Sequence, residues 1–387
     1  MKFTDVELGL AKDALINHES SKNFVEIFEK NFAGHLNSKY AIACNSGTSG
    51  LHAALFAAGV RPGDEVIIPG LTVIMDAYAV LYMNAVPVFA DVELDTFLID
   101  PNDIKKKITQ KTKAIITVSW EGVMCDMDAI NQIAKENNLI VIDDSARTVD
   151  GYYKNVISGK SADMTVFSFE SKKHLTTGGE GGMITTDDER LAKQLRKFVG
   201  IGYKHLEADA GATHLALSNV QDPDYLRFDM VAPNYRLNQI SAAIGIGQLR
   251  RIDEIVDKRK TIGNLFLNST KNLAPWFIPQ FTPRERINAF YTFSARYLLT
   301  DKNKTWKDFY NEFKKRGGDG FYGCVMNPYL EPSLLGKSNS YQKYQRGLCP
   351  NAELIQRQSM CFKTNYRNID NAKAQVDLLV DLIKSWG

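Results

Sequence analysis

Residues 164–186 read MTVFSFESKKHLTTGGEGGMITT and decide how the rest of the chain is interpreted. A run of β-branched and aromatic residues, Met164–Phe169, precedes two lysines and a group of glycines, and a second β-branched run covers Met183–Thr186. This pattern predicts a strand, a loop and a second strand. A lysine in a loop after a buried strand lies at the edge of the sheet, where partial desolvation lowers its pKa and makes its amine nucleophilic. Such an amine can hold an aldehyde cofactor as an imine.

The same loop has a purely structural interpretation. Adjacent lysines such as Lys172 and Lys173 are usually solvated charges, and clustered glycines, here at positions 178, 179, 181 and 182, usually form a turn. The loop by itself therefore does not decide between a surface turn and a cofactor site.

Length and composition set the class of protein. The chain has 387 residues, of which 44% are hydrophobic and 24% charged, so it can bury a large core and is expected to divide into two lobes. A net charge of +2 offers no basic stripe for nucleic acid and no polybasic cluster for a membrane surface. The most apolar stretch, Val66–Ala90, is interrupted by proline, glycine and aspartate, which excludes a membrane span.

The cysteines and the first residues indicate a compartment. Five cysteines occur without a C-x-x-C pair, an odd number that argues against a disulfide framework or a zinc site. The opening sequence MKFTDVELGL contains acidic residues where a signal peptide needs an apolar core. We therefore expect a cytoplasmic protein without a metal site.

A second motif precedes the lysine loop. Tyr40–Cys44 predicts a strand, residues 45–49 (NSGTS) a turn, and Leu51–Gly59 a helix. Free backbone N–H groups and the positive end of the helix dipole then face the turn, an arrangement that suits a phosphate. A plain strand-to-helix turn with a serine or threonine cap is the alternative.

Strands and helices then alternate at short spacing, which predicts an α/β fold with a doubly wound, mostly parallel sheet that binds ligands at the carboxyl ends of its strands. The predicted strands are Glu65–Ile68, Val86–Ala90, Lys113–Val118 and Leu139–Ile142, with helices at Ile74–Met83 and Met127–Asn137. Asp143 and Asp144 follow the last of these strands. Either can be structural, but a carboxylate beside a pyridine nitrogen would keep that nitrogen protonated.

Taken in order, these motifs resemble the DegT/DnrJ/EryC1/StrS family of sugar aminotransferases, which use pyridoxal phosphate (PLP). The spacing of Ser168, Phe169, Lys173, Thr176 and residues 180–182 (EGG) is similar to the family's Schiff-base segment, although one extra glycine precedes the glutamate. The resemblance implies that Lys173 is the Schiff-base lysine, that Ser168 binds the cofactor and that Lys172 is solvated.

The resemblance extends to three further motifs. AIACNSGTSGLHAAL is similar to the family's phosphate loop, which implies that Gly47, Thr48 and Ser49 hold the PLP phosphate. VIDDSAR resembles the family's V-I-E-D-A-A-Q/H, which implies that Asp144 meets the ring nitrogen and that Arg147 replaces the Gln or His beside the ring oxygen.

The third motif begins at Asn234. The sequence NYRLNQISAAIGIGQL resembles a family helix whose asparagine reaches the phosphate of the neighbouring subunit, which implies a homodimer. Asn234 could instead cap that helix. Val73, after the PGLT of residues 69–72, occupies the place of the family's aromatic stacking residue, so stacking on the ring has to be aliphatic or come from elsewhere.

The remaining segments complete the predicted organisation. Tyr203–Met230 is long and polar, as lids and binding loops often are. Beyond about residue 255, larger aromatics and mixed elements predict a smaller α+β lobe. The predicted domains are a large PLP-binding domain over residues 1–250 and a small C-terminal domain over residues 251–387. The resemblance as a whole implies fold-type I.

The implied reaction moves an amino group from glutamate or glutamine to the keto carbon of a sugar, which by analogy with the family is nucleotide-linked. A keto-inositol or a non-nucleotide sugar acid is an alternative acceptor. A PLP-dependent sugar dehydratase, which carries histidine at the lysine position, is an alternative enzyme, because His174 follows Lys173. A PLP-binding regulator without turnover is a third alternative. The chain has no G-x-G-x-x-G motif after its first predicted strand, which argues against a nicotinamide-binding enzyme.

Overall fold

The computed structural model describes residues 3–16, 23–209, 217–298, 304–323, 326–337 and 342–386. Its strands are β1 Tyr40–Cys44, β2 Glu65–Pro69, β3 Val86–Ala90, β4 Thr112–Val118, β5 Ile140–Asp144, β6 Tyr152–Tyr153, β7 Val156–Ile157, β8 Met164–Ser168, β9 Gly182–Thr186, β10 Phe277–Pro279, β11 Arg286–Ile287, β12 Thr292–Tyr297 and β13 Ser359–Lys363.

Its helices alternate with these strands. They are α1 Asp5–Ile16, α2 Phe24–Leu36, α3 Gly47–Ala57, α4 Ile74–Tyr82, α5 Pro101–Lys107, α6 Met127–Asn137, α7 Glu189–Val199, α8 Leu217–Gln221, α9 Gln239–Leu249, α10 Ile252–Thr270, α11 Trp306–Lys315, α12 Pro350–Gln358 and α13 Ile369–Trp386. Single 3₁₀ turns cover Trp120–Gly122 and Pro328–Leu330.

The predicted mostly parallel sheet is confirmed. Seven strands pair in the order β1-β9-β8-β5-β4-β2-β3, and β9 runs antiparallel to both of its neighbours while the other pairs are parallel. The strands β2, β8 and β9 are buried along their whole length, as expected for a sheet covered on both faces. The carboxyl ends of β1, β5 and β8 therefore meet at one edge.

Each face of the sheet has its own core. Side chains of β1, β8 and β9 alternate between the two faces: Ile42, Val166 and Ile184 join the larger core, whereas Phe167 and Met183 join a core formed with α2 and α9. This period-two alternation fixes which residues of each strand point to which side.

Two of the predicted boundaries that differ from the structure lie at the carboxyl edge of the sheet. Helix α3 begins at Gly47 rather than Leu51, because Ser46 caps it and a polar first turn carries none of the apolar periodicity used to place the start. Strand β5 continues to Asp144 rather than ending at Ile142, since Asp143 and Asp144 still pair with β4 and β8. The two aspartates consequently point to opposite faces of the sheet.

The C-terminal part contains a second, antiparallel sheet, β10-β12-β13. Its core is rich in aromatic side chains and includes residues of α10, α11 and α13. Tyr329, Ala352 and Ile355 nevertheless pack into the core of the central sheet, and β11 pairs with β6. The domain boundary at residue 250 stays a prediction.

The long polar segment Tyr203–Met230 is only partly within the described residues, since 210–216 lie outside them. Its described parts contain α8 and a bridge between Tyr203 and Phe228. Within the described ranges, no helix combines the length and apolar character that a bilayer crossing requires. The same residues contain no cluster of His, Cys, Asp and Glu suited to a metal ion.

Candidate active site

The turn between β1 and α3 presents backbone donors at the carboxyl edge of the sheet. Ser46 and Ser49 form a reciprocal cap: the Ser49 N–H donates to Ser46 Oγ at 3.1 Å, and the Ser46 N–H donates to Ser49 Oγ at 3.1 Å. The N–H groups of Gly47 and Thr48 have no acceptor among the described residues. These two donors and the helix dipole form an anion site, while Ser49 is engaged in the cap.

Gly47 allows the end of β8 to approach this turn. A Cβ atom at Gly47 would lie 2.9 Å from Ser168 Cβ, closer than real side chains approach. Ser168 is buried, and among the described residues its hydroxyl accepts one long bond of 3.4 Å from the Glu170 N–H. The structure thus places Gly47 against Ser168, and a part for Gly47, Thr48 and Ser168 in binding PLP stays a prediction.

Lys173 follows β8 in a tight turn, closed by a 3.0 Å bond from its N–H to the carbonyl of Glu170. Burial, and then the positive charge of Arg147, lower the pKa of Lys173 to about 8, with Asp144 acting in the opposite direction. Its Nζ lies 5.4 Å from the centre of the Tyr291 ring. A substantial fraction of this amine is therefore neutral and nucleophilic near physiological pH.

The two neighbours of Lys173 have different surroundings. Lys172 is exposed, whereas His174 is buried with its Nε2 placed 3.1 Å from the carbonyl oxygen of Ala289. Burial holds the pKa of His174 well below its ordinary value. His174 is thus a neutral core residue bonded to backbone, and Lys173 is the member of the three that faces Asp144.

Asp143 and Asp144 have different surroundings. Asp143 accepts from the hydroxyls of Thr117 at 2.8 Å, Ser119 at 3.0 Å and Ser145 at 2.5 Å, and burial raises its pKa to about 6. Asp144 accepts the Ala146 N–H at 2.9 Å, and burial raises its pKa too, although the charge of Lys173 opposes this. Asp143 is therefore committed to hydroxyls, and Asp144 faces the lysine.

Arg147 is held in a cluster that the sequence does not predict. Its guanidinium is ion-paired with Glu121, lies 4.1 Å from the Trp120 ring centre and 5.1 Å from that of Tyr291. Glu121 is buried, has a left-handed φ of 54° and accepts a 2.6 Å bond from the Thr292 hydroxyl. The cation predicted beside the cofactor is therefore partly neutralised by a carboxylate.

Asp76 is a second residue that sequence reasoning missed. It lies in the first turn of α4, is fully buried, and its carboxyl is within hydrogen-bonding reach of Asp144. The sequence feature that could have indicated Asp76 is its position four residues after Thr72, close to the PGLT segment of residues 69–72. Tyr291 and Glu121 lie outside every motif, and nothing in the sequence marked them.

Two further predicted positions are Asn234 and Val73. Asn234 is exposed in an extended segment that bridges to Gly200, and α9 is capped by Asn238, so the capping alternative for Asn234 is wrong. Val73 is partly buried, precedes α4 and packs against the core of the central sheet. The aromatic ring beside Lys173 is that of Tyr291 instead.

The residues at this edge fit PLP. The unpartnered N–H groups of Gly47 and Thr48 suit a phosphate, the amine of Lys173 suits an aldehyde, and the buried carboxylate of Asp144 suits a protonated pyridine nitrogen. The three groups come from β1-α3, β8 and β5, which end at the same edge of the sheet.

Comparison with known proteins agrees with this chemistry. Residues 11–375 match the model of the DegT/DnrJ/EryC1/StrS aminotransferase family. The chain is 43% identical over 240 residues to GDP-perosamine synthase of Caulobacter vibrioides, covering 62% of this chain and 60% of that protein. It is 35% identical over 281 residues to GDP-perosamine synthase of Escherichia coli O157:H7, covering 73% and 71%.

A solved structure supports the same placement over the whole chain. The aminotransferase from Psychrobacter cryohalolentis superimposes with a TM-score of 0.87 at 28% identity, covering 99% of this chain and 98% of that one. The fold, the ordered motifs and the family match therefore lead to one conclusion: the chain belongs to the DegT/DnrJ/EryC1/StrS family of PLP-dependent sugar aminotransferases.

Proposed function

We propose that the protein transfers an amino group from glutamate or glutamine to the keto carbon of a nucleotide-linked sugar. One observation supports this proposal most strongly. The amine of Lys173, whose pKa is lowered, interacts with the buried carboxylate of Asp144, and the N–H groups of Gly47 and Thr48 lie at the same edge of the sheet. The names of the two curated relatives, both GDP-perosamine synthases, support a nucleotide-linked acceptor.

Each residue has a defined part in this reaction. PLP, when bound, withdraws electrons from the carbon that loses its proton. The amine of Lys173 takes that proton from the α-carbon of the donor and returns one to the former keto carbon of the sugar. Asp144 stays ionised and supplies the negative charge that a protonated ring nitrogen requires. Gly47, Thr48 and Ser168 hold the phosphate.

The cavity beside this site supports an anionic substrate. It has a volume of about 300 Å³ and is lined by cationic side chains of Arg147, Lys172, Arg259 and Lys363, against the single carboxylate of Glu121. Tyr291 adds an aromatic wall. A carboxylate donor and the diphosphate of a nucleotide-linked sugar both carry the charge that such a lining attracts.

The position of His174 favours transamination over dehydration. A sugar dehydratase of this family has histidine where the lysine amine acts, but His174 here is buried and directed at the backbone of Ala289. Lys173 occupies the position facing Asp144. The intact lysine, carboxylate and anion site also argue against a PLP-binding regulator without turnover.

The proposal includes a homodimer in which Asn234 contacts the phosphate in the partner's site. Support comes from the exposure of Asn234 and of nearby Val231, whose side chain is 99% exposed. Sedimentation of the purified protein should show a dimer, and Asn234→Ala should weaken PLP retention. A stable monomer with full cofactor would contradict this part. The odd number of cysteines in the chain supports the cytoplasmic location we propose.

The acceptor is tested by separating the two half-reactions. The enzyme is first converted to its amino form with glutamate, and the donor is then removed. UDP-, GDP- and dTDP-linked 3- and 4-keto sugars, a keto-inositol and an aldehydic sugar acid are offered one at a time, and the return of the original cofactor absorbance is followed. We expect a nucleotide-linked keto sugar to restore it.

Two outcomes separate the parts of the proposal. If only a keto-inositol or a free sugar acid restores the absorbance, the nucleotide-linked acceptor is wrong while transamination stands. If glutamate and glutamine both fail to change the absorbance of a protein that carries PLP at Lys173, the amino donor is wrong. Lys105→Ala, at an exposed lysine of α5 outside the cavity lining, serves as the control for Lys173→Ala in both half-reactions.

A further inference from the structure

Asp76 is a buried ionisable group to which the proposed reaction gives no part. Its side chain is 0% exposed in the first turn of α4. The hydroxyl of Thr72 donates to Oδ2, but Oδ1 is buried and receives no hydrogen bond from any described residue. An ionised carboxylate with a buried oxygen left unsatisfied is strongly disfavoured. The surroundings of Asp76 thus suit a neutral acid better than an anion.

The partner of Asp76 is another carboxyl. Asp144, also buried, lies within hydrogen-bonding reach of it, and two carboxyl groups in contact away from water do not both ionise. Asp144 accepts the Ala146 N–H and faces the charges of Lys173 and Arg147. Asp144 is therefore the better place for the negative charge, and Asp76 for the proton.

We infer that Asp76 and Asp144 share one proton, with Asp76 as the neutral acid that donates a hydrogen bond to Asp144 and so positions and stabilises its carboxylate for the cofactor nitrogen. Asp76 is a positioning residue, because it acts on the cofactor through Asp144. The consequence for the cofactor rests on the proposed function. The shared proton does not, since it depends only on side chains of this chain.

The combined effect of burial and of the groups around Asp76 is to raise its pKa. Burial, and then the charge of Asp144, raise the pKa of Asp76 well above its usual range, while Thr72, Lys173 and Arg147 act the other way. A carboxyl whose pKa is raised on folding contributes stability at low pH, and that contribution is lost as the pH rises through its folded value. Asp76 therefore makes the folded protein less stable above the folded pKa of this carboxyl than it is at low pH.

The shared proton has a spectroscopic signature. A protonated carboxyl has an infrared carbonyl band that a carboxylate lacks, and we expect one in the full-length holoenzyme at pH 7.5, a pH chosen to lie above the pKa of about 6 for Asp143. Asp76→Asn should remove the band, and Asp143→Asn should leave it. Absence of the band from the wild type, or its loss in Asp143→Asn alone, would overturn the inference.

Thr72→Val provides a second test that keeps both carboxyls. The valine has nearly the shape of threonine but lacks the hydroxyl that favours the anion of Asp76. The band should then persist to higher pH than in the wild type. A band that disappears at lower pH in Thr72→Val contradicts the assignment, even if Asp76→Asn does not fold.

Turnover distinguishes positioning from simple packing. Asp76→Asn keeps a donor toward Asp144 and should retain most activity, whereas Asp76→Ala removes the donor and should lower kcat by roughly tenfold. Equal losses in both variants would contradict a donor role. If no acceptor is ever turned over, the proposed function fails, while the infrared experiment still decides whether the proton is shared.

Discussion

The turn between β1 and α3 and the cluster around Arg147 are both parts of the candidate site, but their polar groups find partners in different ways. In the turn, Ser46 and Ser49 are three residues apart, and the hydroxyl of each accepts a hydrogen bond from the backbone N–H of the other. In the cluster, Glu121 pairs with Arg147 across 26 residues and with Thr292 across 171. The turn is thus defined by local sequence, and the cluster exists only once the chain has folded.

This contrast predicts different consequences of mutation. A local motif prepares a binding surface that is nearly independent of the rest of the site. A set of buried charges drawn from distant segments is interdependent, because each group sets the pKa and the orientation of the next. Substitutions among the charges should therefore change the chemistry, and substitutions in the turn should mainly change how well the cofactor is held.

The largest effect is expected at the two adjacent aspartates. Asp144→Asn should lower kcat by about 100-fold, equivalent to ~2.7 kcal/mol, because a neutral side chain no longer balances a protonated ring nitrogen. Asp143→Asn should reduce stability with a much smaller loss of turnover, since Asp143 is bonded to three hydroxyls. Steady-state rates test this prediction. A large loss of kcat in Asp143→Asn together with a near-normal kcat in Asp144→Asn would assign the carboxylate beside the ring nitrogen to Asp143 instead.

The same contrast explains what could be predicted from the sequence. Lys173, Asp144 and Gly47 each lie at or after the end of a strand in a short, ordered motif, so their place at the sheet edge follows from local pattern and topology. The start of α3 was misplaced because its polar first turn lacks apolar periodicity. Asp76 and Glu121 were missed because a buried carboxyl has meaning only through partners that are distant in sequence.

An intermediate effect is expected when the charges around Lys173 are changed one at a time. Arg147→Gln removes a cation and leaves Glu121 unpaired, so the pKa of Lys173 should rise above about 8. Glu121→Gln removes an anion whose charge raises the pKa of Lys173, so the pKa should fall. We expect each variant to move it by about half a pH unit.

The measurement is the rate at which cofactor-free protein captures PLP, followed by absorbance across a range of pH. Capture requires the neutral amine, so the midpoint should move up for Arg147→Gln and down for Glu121→Gln. The pKa should stay below that of an ordinary lysine in both variants, because burial is the largest cause of its depression. Movement of both midpoints in the same direction would show that these two charges do not control the amine.

The smallest effect is expected at Gly47, where a larger side chain would clash with Ser168. A methyl group there meets Ser168 Cβ at 2.9 Å, so β8 and α3 must separate by a few tenths of an ångström. Alanine is also the better helix former by up to about 1 kcal/mol, which offsets part of the strain. We therefore expect Gly47→Ala to lose at most ~1 kcal/mol of stability and to weaken PLP retention, with little change in the pKa of Lys173.

Urea unfolding with and without PLP measures both quantities, and Gly179→Ala is the matched control, because a Cβ atom at Gly179 would have nothing within 4 Å. Adding Ser168→Gly to Gly47→Ala removes the opposing Cβ and should recover the stability of the cofactor-free protein. It should not recover PLP retention, since the hydroxyl predicted to hold the phosphate is gone. If the double variant retains PLP as well as the wild type does, Ser168 has no part in binding, and the anion site consists of the backbone of α3 alone.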